Sequence, residues 1–172
     1  MIFYKWFKTP EGYWTLLRLL VALLFPLVIY LNRKFFFEFQ IKIFDYFGAL
    51  FAIFGLMIMI KLGLIFTSNP LFKAMSHGTI PISFVRTGPY EYVRHPFYFG
   101  FYLLVLGIFM IFPSWLSLIW LLIYGQLMFK AILEEEKKLI SLFKNEYIEY
   151  RNITPKIIPS DIIKFLKTIL DY

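Results

Sequence analysis

The chain contains no cysteine in 172 residues. That excludes disulfides, thiolate metal sites and cysteine nucleophiles, and says little about redox compartment. Charge is also scarce: Asp, Glu, Lys and Arg make up 17% of the residues, against about a quarter in soluble domains. No internal repeat or low-complexity linker breaks the chain. No cleavable signal peptide is evident either, because the first apolar run is long enough to remain as an anchor.

What fills the chain instead is apolar. Hydrophobic residues account for 60%, with 22 Phe and 12 Tyr, and the mean hydropathy is +0.69. Such a chain would not stay soluble as a monomer, so it reads as an integral membrane protein of one domain by length. The net charge of +7 would suggest nucleic acid in a soluble protein. Here Lys and Arg flank apolar segments, so anionic lipid headgroups are the expected partners and nucleic acid is not.

Four segments meet the requirement of about twenty apolar residues per membrane helix. They run from Trp14 to Leu31, from Tyr46 to Phe66, from just after Pro96 to Phe112, and from Trp115 to about Leu133. Pro113-Ser114 is expected to turn the last two into a tight antiparallel hairpin. Beyond them, Leu139, Leu142, Phe143 and Ile148 suggest one face of a continuing helix. Thr154-Pro155 breaks it, and a short amphipathic helix from Ile162 to Leu170 is expected on the membrane surface. The expected fold is all-α, a polytopic membrane bundle of about four transmembrane helices with cytoplasmic or amphipathic C-terminal helices. The whole of 1–172 reads as one domain, the first two spans lying within 1–67. With both termini cytoplasmic, thirteen Lys and Arg face inside and three outside, with Arg18 and Lys61 within segments.

Two polar clusters then fall on the same membrane face. The first is Arg86-Thr87-Gly88-Pro89-Tyr90-Glu91-Tyr92-Val93-Arg94-His95-Pro96-Phe97-Tyr98-Phe99-Gly100. Pro96 suits the first turn of a helix, which places His95 at a helix N-terminus that favours a carboxylate or phosphate. Arg94 adds a forked donor for the same kind of group, and Tyr90, Tyr92 and Tyr98 offer flat faces to a base or a cation. The second cluster, Glu134-Glu135-Glu136, could pair with an ammonium. Each residue alone is as well explained as an interface anchor or a helix ion pair; their combination on one face points to a site for a zwitterion carrying an aromatic base.

The pattern Gly88-Pro89-Tyr90-x-Tyr92-Val93-Arg94-His95-Pro96-x-Tyr98-x-Gly100, then an apolar hairpin, then Glu135-Glu136-x-x-Leu139 and Tyr147-x-x-Tyr150, resembles the isoprenylcysteine carboxyl methyltransferase and phospholipid methyltransferase superfamily. The resemblance covers roughly 82–159; the first two spans match only in being hydrophobic. It implies a membrane enzyme that uses S-adenosylmethionine without a Rossmann domain, a lipophilic methyl acceptor arriving from the bilayer, and no metal. It also implies that Tyr90, His95, Pro96, Phe97 and Tyr98, with backbone around Ile82 to Val85, line the cofactor site, and that Glu135 holds the cofactor's amino group. Arg94 and Lys130 are the candidates for the acceptor.

One departure is informative. The carboxyl methyltransferases carry an Arg four residues before that Glu, associated with the acceptor, and this chain has Ala131 there. Lys130 beside it points about 100° away. This argues against a prenylcysteine carboxylate and leaves an amine headgroup, a phenol or another lipid carboxylate open. The sterol and steroid reductases, which bind NADPH, share a His-Pro-x-Tyr, but Phe97, Gly100 and the Glu pair favour the methyltransferase. A non-catalytic membrane scaffold is the third reading.

Overall fold

The structure, a computed structural model, describes Leu24, residues 42–68 and residues 84–171. Leu24 is helical; the rest of the first expected span, the loop with Lys73, and Ile82 lie outside the described residues. Four α-helices are described: α1 (Lys42–Ser68), α2 (Pro96–Ile111), α3 (Trp115–Ile153) and α4 (Ile162–Asp171), with a 3-10 turn at Gly88–Glu91 before α2. There is no strand among the described residues.

α1 and α2 pack antiparallel along a glycine seam. Gly48 faces Gly107 and Gly55 faces Gly100, the two glycines of each helix being seven residues apart. A Cβ on Gly48 would lie 2.7 Å from the Gly107 carbonyl oxygen, and one on Gly55 would run into the Gly100 carbonyl and the Leu104 backbone. Between apolar helices in lipid there is little hydrophobic drive, so close backbone approach of this kind is what gains dispersion energy. The outer side of α1 is left apolar and exposed, with Ile43, Phe47, Leu50, Ile53, Ile60 and Leu64 all facing away from the protein.

The hairpin between α2 and α3 forms as expected. Ser114 caps α3: its hydroxyl accepts from the Ser117 N–H at 3.1 Å, and the Ser117 hydroxyl accepts from the Ser114 N–H at 2.9 Å. This reciprocal box satisfies donors that a helix start otherwise leaves open. Above it, Trp120 stacks on Tyr124 at 4.9 Å, and Phe101 of α2 lies 4.7 Å from the same tyrosine ring.

Two described helices, α1 and α3, are long and apolar enough to cross a membrane. α2 has 16 residues, about 24 Å at 1.5 Å per residue, short of the roughly 30 Å hydrocarbon core. α3, at 39 residues, is about twice that depth, and its uncharged stretch is Trp115 to Phe129, ending at Lys130.

The second half of α3 departs from the expected face. Lys144 has φ 46°, which interrupts the helix and turns the residues after it. Phe143 still faces inward, but Leu142 and Ile148 are exposed, and Tyr147 and Tyr150 become the buried pair. α4 forms as the amphipathic helix expected, and its Phe165 and Ile169 are fully buried against Ile58 and Leu62 of α1 and Val93. The apolar stripe therefore docks on the protein, and Ile162, Ile163 and Leu170 face outward.

Candidate functional site

The site forms where the chain entering α2 meets the end of α3. Residues 92–95 run beside the segment that follows α3. The Arg94 N–H donates to the Pro155 carbonyl at 2.9 Å, the His95 N–H to the Lys156 carbonyl at 3.2 Å, and the Ser160 N–H to the Tyr92 carbonyl at 3.0 Å. Pro155, which cannot continue a helix, thus leaves its carbonyl for this pairing. Pro96 starts α2 with His95 at its N-cap.

Arg94 is buried. Its Nη1 donates to the carbonyls of Arg151 and of Thr154, the latter at 2.9 Å. Those carbonyls belong to the last turn of α3, where no intrahelical donor reaches them. Its Nη2 lies 2.8 Å from Oε1 of Glu136, which is itself buried. His95 Nε2 is 3.3 Å from the same oxygen, and Lys156 Nζ is 3.4 Å from the other carboxylate oxygen. Glu136 is thus held by three basic side chains drawn from two other segments.

Glu135 behaves differently. It lies 3.7 Å from His95 Nδ1, with its side chain 49% exposed. His95 therefore faces a carboxylate on each ring nitrogen, and either neutral tautomer can donate to only one of them. Tyr98 sets its ring edge-on to His95 at 5.7 Å. The Tyr150 hydroxyl donates to the Tyr90 carbonyl at 2.6 Å. Burial, then the charge of Glu135, pushes the Tyr90 phenol well above its ordinary range, so it stays protonated and able to donate. Pro96 is buried, Phe97 is exposed at the first turn of α2, and Val85 is half-buried beside Phe84. The Phe84 ring lies 5.2–5.3 Å from the rings of Phe143, Tyr147 and Tyr150, which ties the chain before the motif to the kinked half of α3.

The structure brings His95, Tyr98, Tyr90, Pro96 and Glu135 to one place, with Phe97 and Val85 at its margins. Arg94, considered from the sequence for the acceptor, has two of its nitrogens engaged by protein. Lys130 is exposed and about 120° around α3 from Glu136. Sequence reasoning named Glu136 in the acidic cluster and Tyr147 in the matched motif without giving either its own role, and it did not name Lys156. A signal for Glu136 was available: Trp120, Tyr124, Met128, Ile132 and Glu136 recur every fourth residue, and all are buried. Glu136 continues an apolar stripe, as a buried polar residue with a partner would.

Among the described residues, two buried polar atoms have no hydrogen-bond partner: Nε of Arg94 and the hydroxyl of Tyr147. The Tyr147 hydroxyl lies within electrostatic reach of Glu136, Arg94 and Glu135. Buried donors without partners are rare in native proteins, and two beside one charge cluster suit a polar ligand there. Among the described residues, no group of three His, Asp or Glu could hold a metal ion.

Residues 46–141 match the Isoprenylcysteine carboxyl methyltransferase (ICMT) family, more than half of the chain. The chain belongs to that family. The match begins in α1, well before the motif at Gly88. A protein-S-isoprenylcysteine O-methyltransferase of Schizosaccharomyces pombe is 38% identical over 76 residues, 44% of this chain and 32% of the relative. One of Saccharomyces cerevisiae is 41% identical over 69 residues, 40% of this chain and 29% of the relative. The matched stretch therefore spans about a third of either relative's length. No solved structure matches the chain. Family membership, together with the two long apolar helices and the bare apolar side of α1, makes this a membrane protein.

Proposed function

We propose that the chain is a membrane methyltransferase that carries a methyl group from S-adenosylmethionine to a lipophilic, isoprenoid-type acceptor entering from the bilayer. The observation that carries this reading is the contact between two distant segments, Arg94-His95 before α2 and Glu135-Glu136 in α3, with unpartnered buried donors beside them. Both segments meet at the N-terminal end of α2, which the excess of Lys and Arg on that side would put at the cytoplasmic face.

The residues present fit the cofactor. Glu135, half-exposed beside His95, would take the amino group of the methionine end. Arg94 Nε and the Tyr147 hydroxyl would take its carboxylate. Tyr90, His95, Pro96, Phe97, Tyr98 and Val85 would line the remainder. When bound, S-adenosylmethionine supplies an electrophilic methyl carbon; transfer to a carboxylate oxygen forms one C–O bond as one C–S bond breaks, and turns an anion and a sulfonium into a neutral ester and a thioether. Such a transfer releases no proton, so no general base is required for a carboxylate acceptor. The protein's work is then alignment: His95 and Tyr98 are fixed by the α2 N-terminus, and Glu135 by the α3 helix that Glu136 anchors. Holding reacting atoms in line in a dry site supplies a large share of a displacement barrier.

Calorimetric titration of the detergent-purified protein with S-adenosylhomocysteine, with NADPH run alongside, tests this. Binding of the first alone supports the proposal. Binding of NADPH alone would move the chain to the reductase class, and silence from both in a folded protein would favour a non-catalytic scaffold.

A further inference from the structure

Resting on the methyl-transfer reading, we infer that α4 is a lipid-binding helix whose open side takes up an anionic membrane surface and thereby tightens binding of the methyl donor. At 100° per residue, Phe165, Ile169, Ile162, Leu166, Leu170 and Ile163 follow one another across about 160° of α4. The protein covers only one side of that arc. Phe165 and Ile169 are fully buried and Leu166 packs beside them, whereas Leu170 is 57% and Ile163 77% exposed. Lys167 and Lys164 come next round the helix, both exposed. Lys164 pairs with Asp161 at 3.3 Å, and Lys167 has no carboxylate partner among the described residues. An uncovered apolar strip bordered by lysines suits a helix lying at the lipid headgroup boundary.

The level of α4 in the protein agrees. Ile58 and Leu62, on which it docks, are six and two residues before Leu64, where the apolar span of α1 ends. At 1.5 Å per residue they lie about 9 and 3 Å inside that end, close to the roughly 5–10 Å to which interfacial helices sink. On the same stretch of α1, Ile60 and Leu64 are exposed, so the bare apolar side of α1 reaches the level of α4. This is also the N-terminal end of α2, which the excess of Lys and Arg would put at the cytoplasmic face, where anionic lipids gather.

α4 is braced on the segment that carries the site. The Tyr92 carbonyl accepts from the Ser160 N–H at 3.0 Å and from the Ser160 hydroxyl at 3.3 Å, two residues before α4 begins. Val93 is fully buried against Phe165 and Ile169, and the Phe165 ring lies edge-on to Phe99 of α2 at 5.7 Å. Tyr92 and Val93 lead directly into Arg94 and His95. With α4 seated on the lipid, residues 92–99 are held on that side; with α4 loosened, they lose a wall. Lipid can shift the site only by binding the seated state better. Lys164 and Lys167 supply that difference, and they supply it for anionic rather than zwitterionic headgroups.

The chain has no cysteine, so one introduced cysteine carries a fluorophore without background. Ile163→Cys, Leu170→Cys and, on the polar side of α4, Asp171→Cys are labelled in the full chain and placed in nanodiscs of phosphatidylcholine with or without phosphatidylserine. A lipid spin-labelled near its headgroup should quench positions 163 and 170 more than position 171, and more so with phosphatidylserine present. In the same discs, the unlabelled wild type should bind S-adenosylhomocysteine about fivefold or more tightly with phosphatidylserine than without it. Lys164→Gln/Lys167→Gln should lose that gain and match the wild type in phosphatidylcholine alone, while Lys164→Arg/Lys167→Arg keeps it. Equal affinity in the two lipids, a gain that survives the glutamine pair, or equal quenching at 163, 170 and 171 overturns the inference. A protein that binds S-adenosylhomocysteine equally in both lipids loses this inference and keeps the methyl-transfer reading. One whose probes are quenched as expected but which binds no S-adenosylhomocysteine in either lipid loses that reading and the coupling with it, and keeps the lipid contact of α4.

Discussion

The length of α2 and its N-terminus are held to the protein by opposite means. Along its length α2 meets α1 through Gly48, Gly55, Gly100 and Gly107, where almost no side chain intervenes and backbones touch. At its N-terminus it is joined to α3 and the following segment by Arg94, His95, Glu136 and Lys156, through charged side chains and backbone hydrogen bonds. The apolar seam works by shape and tolerates no added atoms. The polar cluster works by pairing and tolerates no missing partner. A membrane protein gains little from hydrophobic burial between helices, so each connection relies on what its surroundings allow: dispersion within the apolar length, and charge where the helices reach the interface.

The strongest way to break that contrast is at Glu136. Glu136→Ala would leave Arg94 and Lys156 facing each other with no carboxylate between them. Breaking a buried pair by removing one partner costs about 3–5 kcal/mol. Thermal unfolding in detergent should show a large drop in midpoint, or no folded protein at all. A loss under about 1 kcal/mol would mean that the cluster does not anchor α2 to α3.

The seam should give the next largest effect. Gly55→Leu must push α1 away from the Gly100 carbonyl and the Leu104 backbone, and overpacking of this kind costs about 1–3 kcal/mol. Gly63, whose Cβ would meet nothing within 4 Å among the described residues, provides the control: Gly63→Leu should leave the midpoint unchanged or raise it, since glycine is a poor residue inside a helix. Equal destabilisation by both would show that the seam has no special role. Smaller again is Ser114→Ala, which removes the cap of α3 at a cost of about 1 kcal/mol, read as a midpoint shift with ligand binding unaltered.

The fold was legible wherever a local signal matched a local cause. Pro113-Ser114 turned where a proline and a cap residue require it, Pro96 opened α2, and Thr154-Pro155 ended α3. The errors came from phase and partnership. Ile148 was placed with the buried face of α3 because an uninterrupted helix was assumed, and the positive φ of Lys144 shifts the register. The stripe of α4 is readable as apolar, but that part of it docks on Ile58, Leu62 and Val93 is tertiary. The glycine seam has a readable spacing of seven in both helices, but the pairing of one helix with the other is tertiary. At the site, Arg94-His95-Pro96 and Glu135 stood out by motif, whereas Lys156 lies sixty-one residues beyond His95 and comes to it through backbone pairing that leaves no mark in the sequence.

Glu135 and Glu136 sharpen the comparison most, because chemically identical neighbours are assigned opposite work. A helix turns about 100° per residue, which is enough to bury one carboxylate among three basic side chains and leave the other half in the open. Glu135→Gln keeps size and hydrogen-bonding capacity, removes one exposed charge, and disturbs only a 3.7 Å contact with His95. Its effect on stability should be small, below about 1 kcal/mol, as for exposed ion pairs generally. If Glu135 holds an ammonium of the methyl donor, the same change should weaken S-adenosylhomocysteine binding about tenfold or more, since a hydrogen bond between charged groups contributes about 1.5–3 kcal/mol. Glu136→Gln should show the reverse emphasis, with a clear loss of stability and, in whatever protein remains folded, a smaller loss of affinity. Matching calorimetry and unfolding on the two variants separates a residue that binds from one that holds the binder in place. If the two variants lose affinity and stability in the same proportion, the division of labour between these carboxylates is wrong, and the cluster must be treated as one unit.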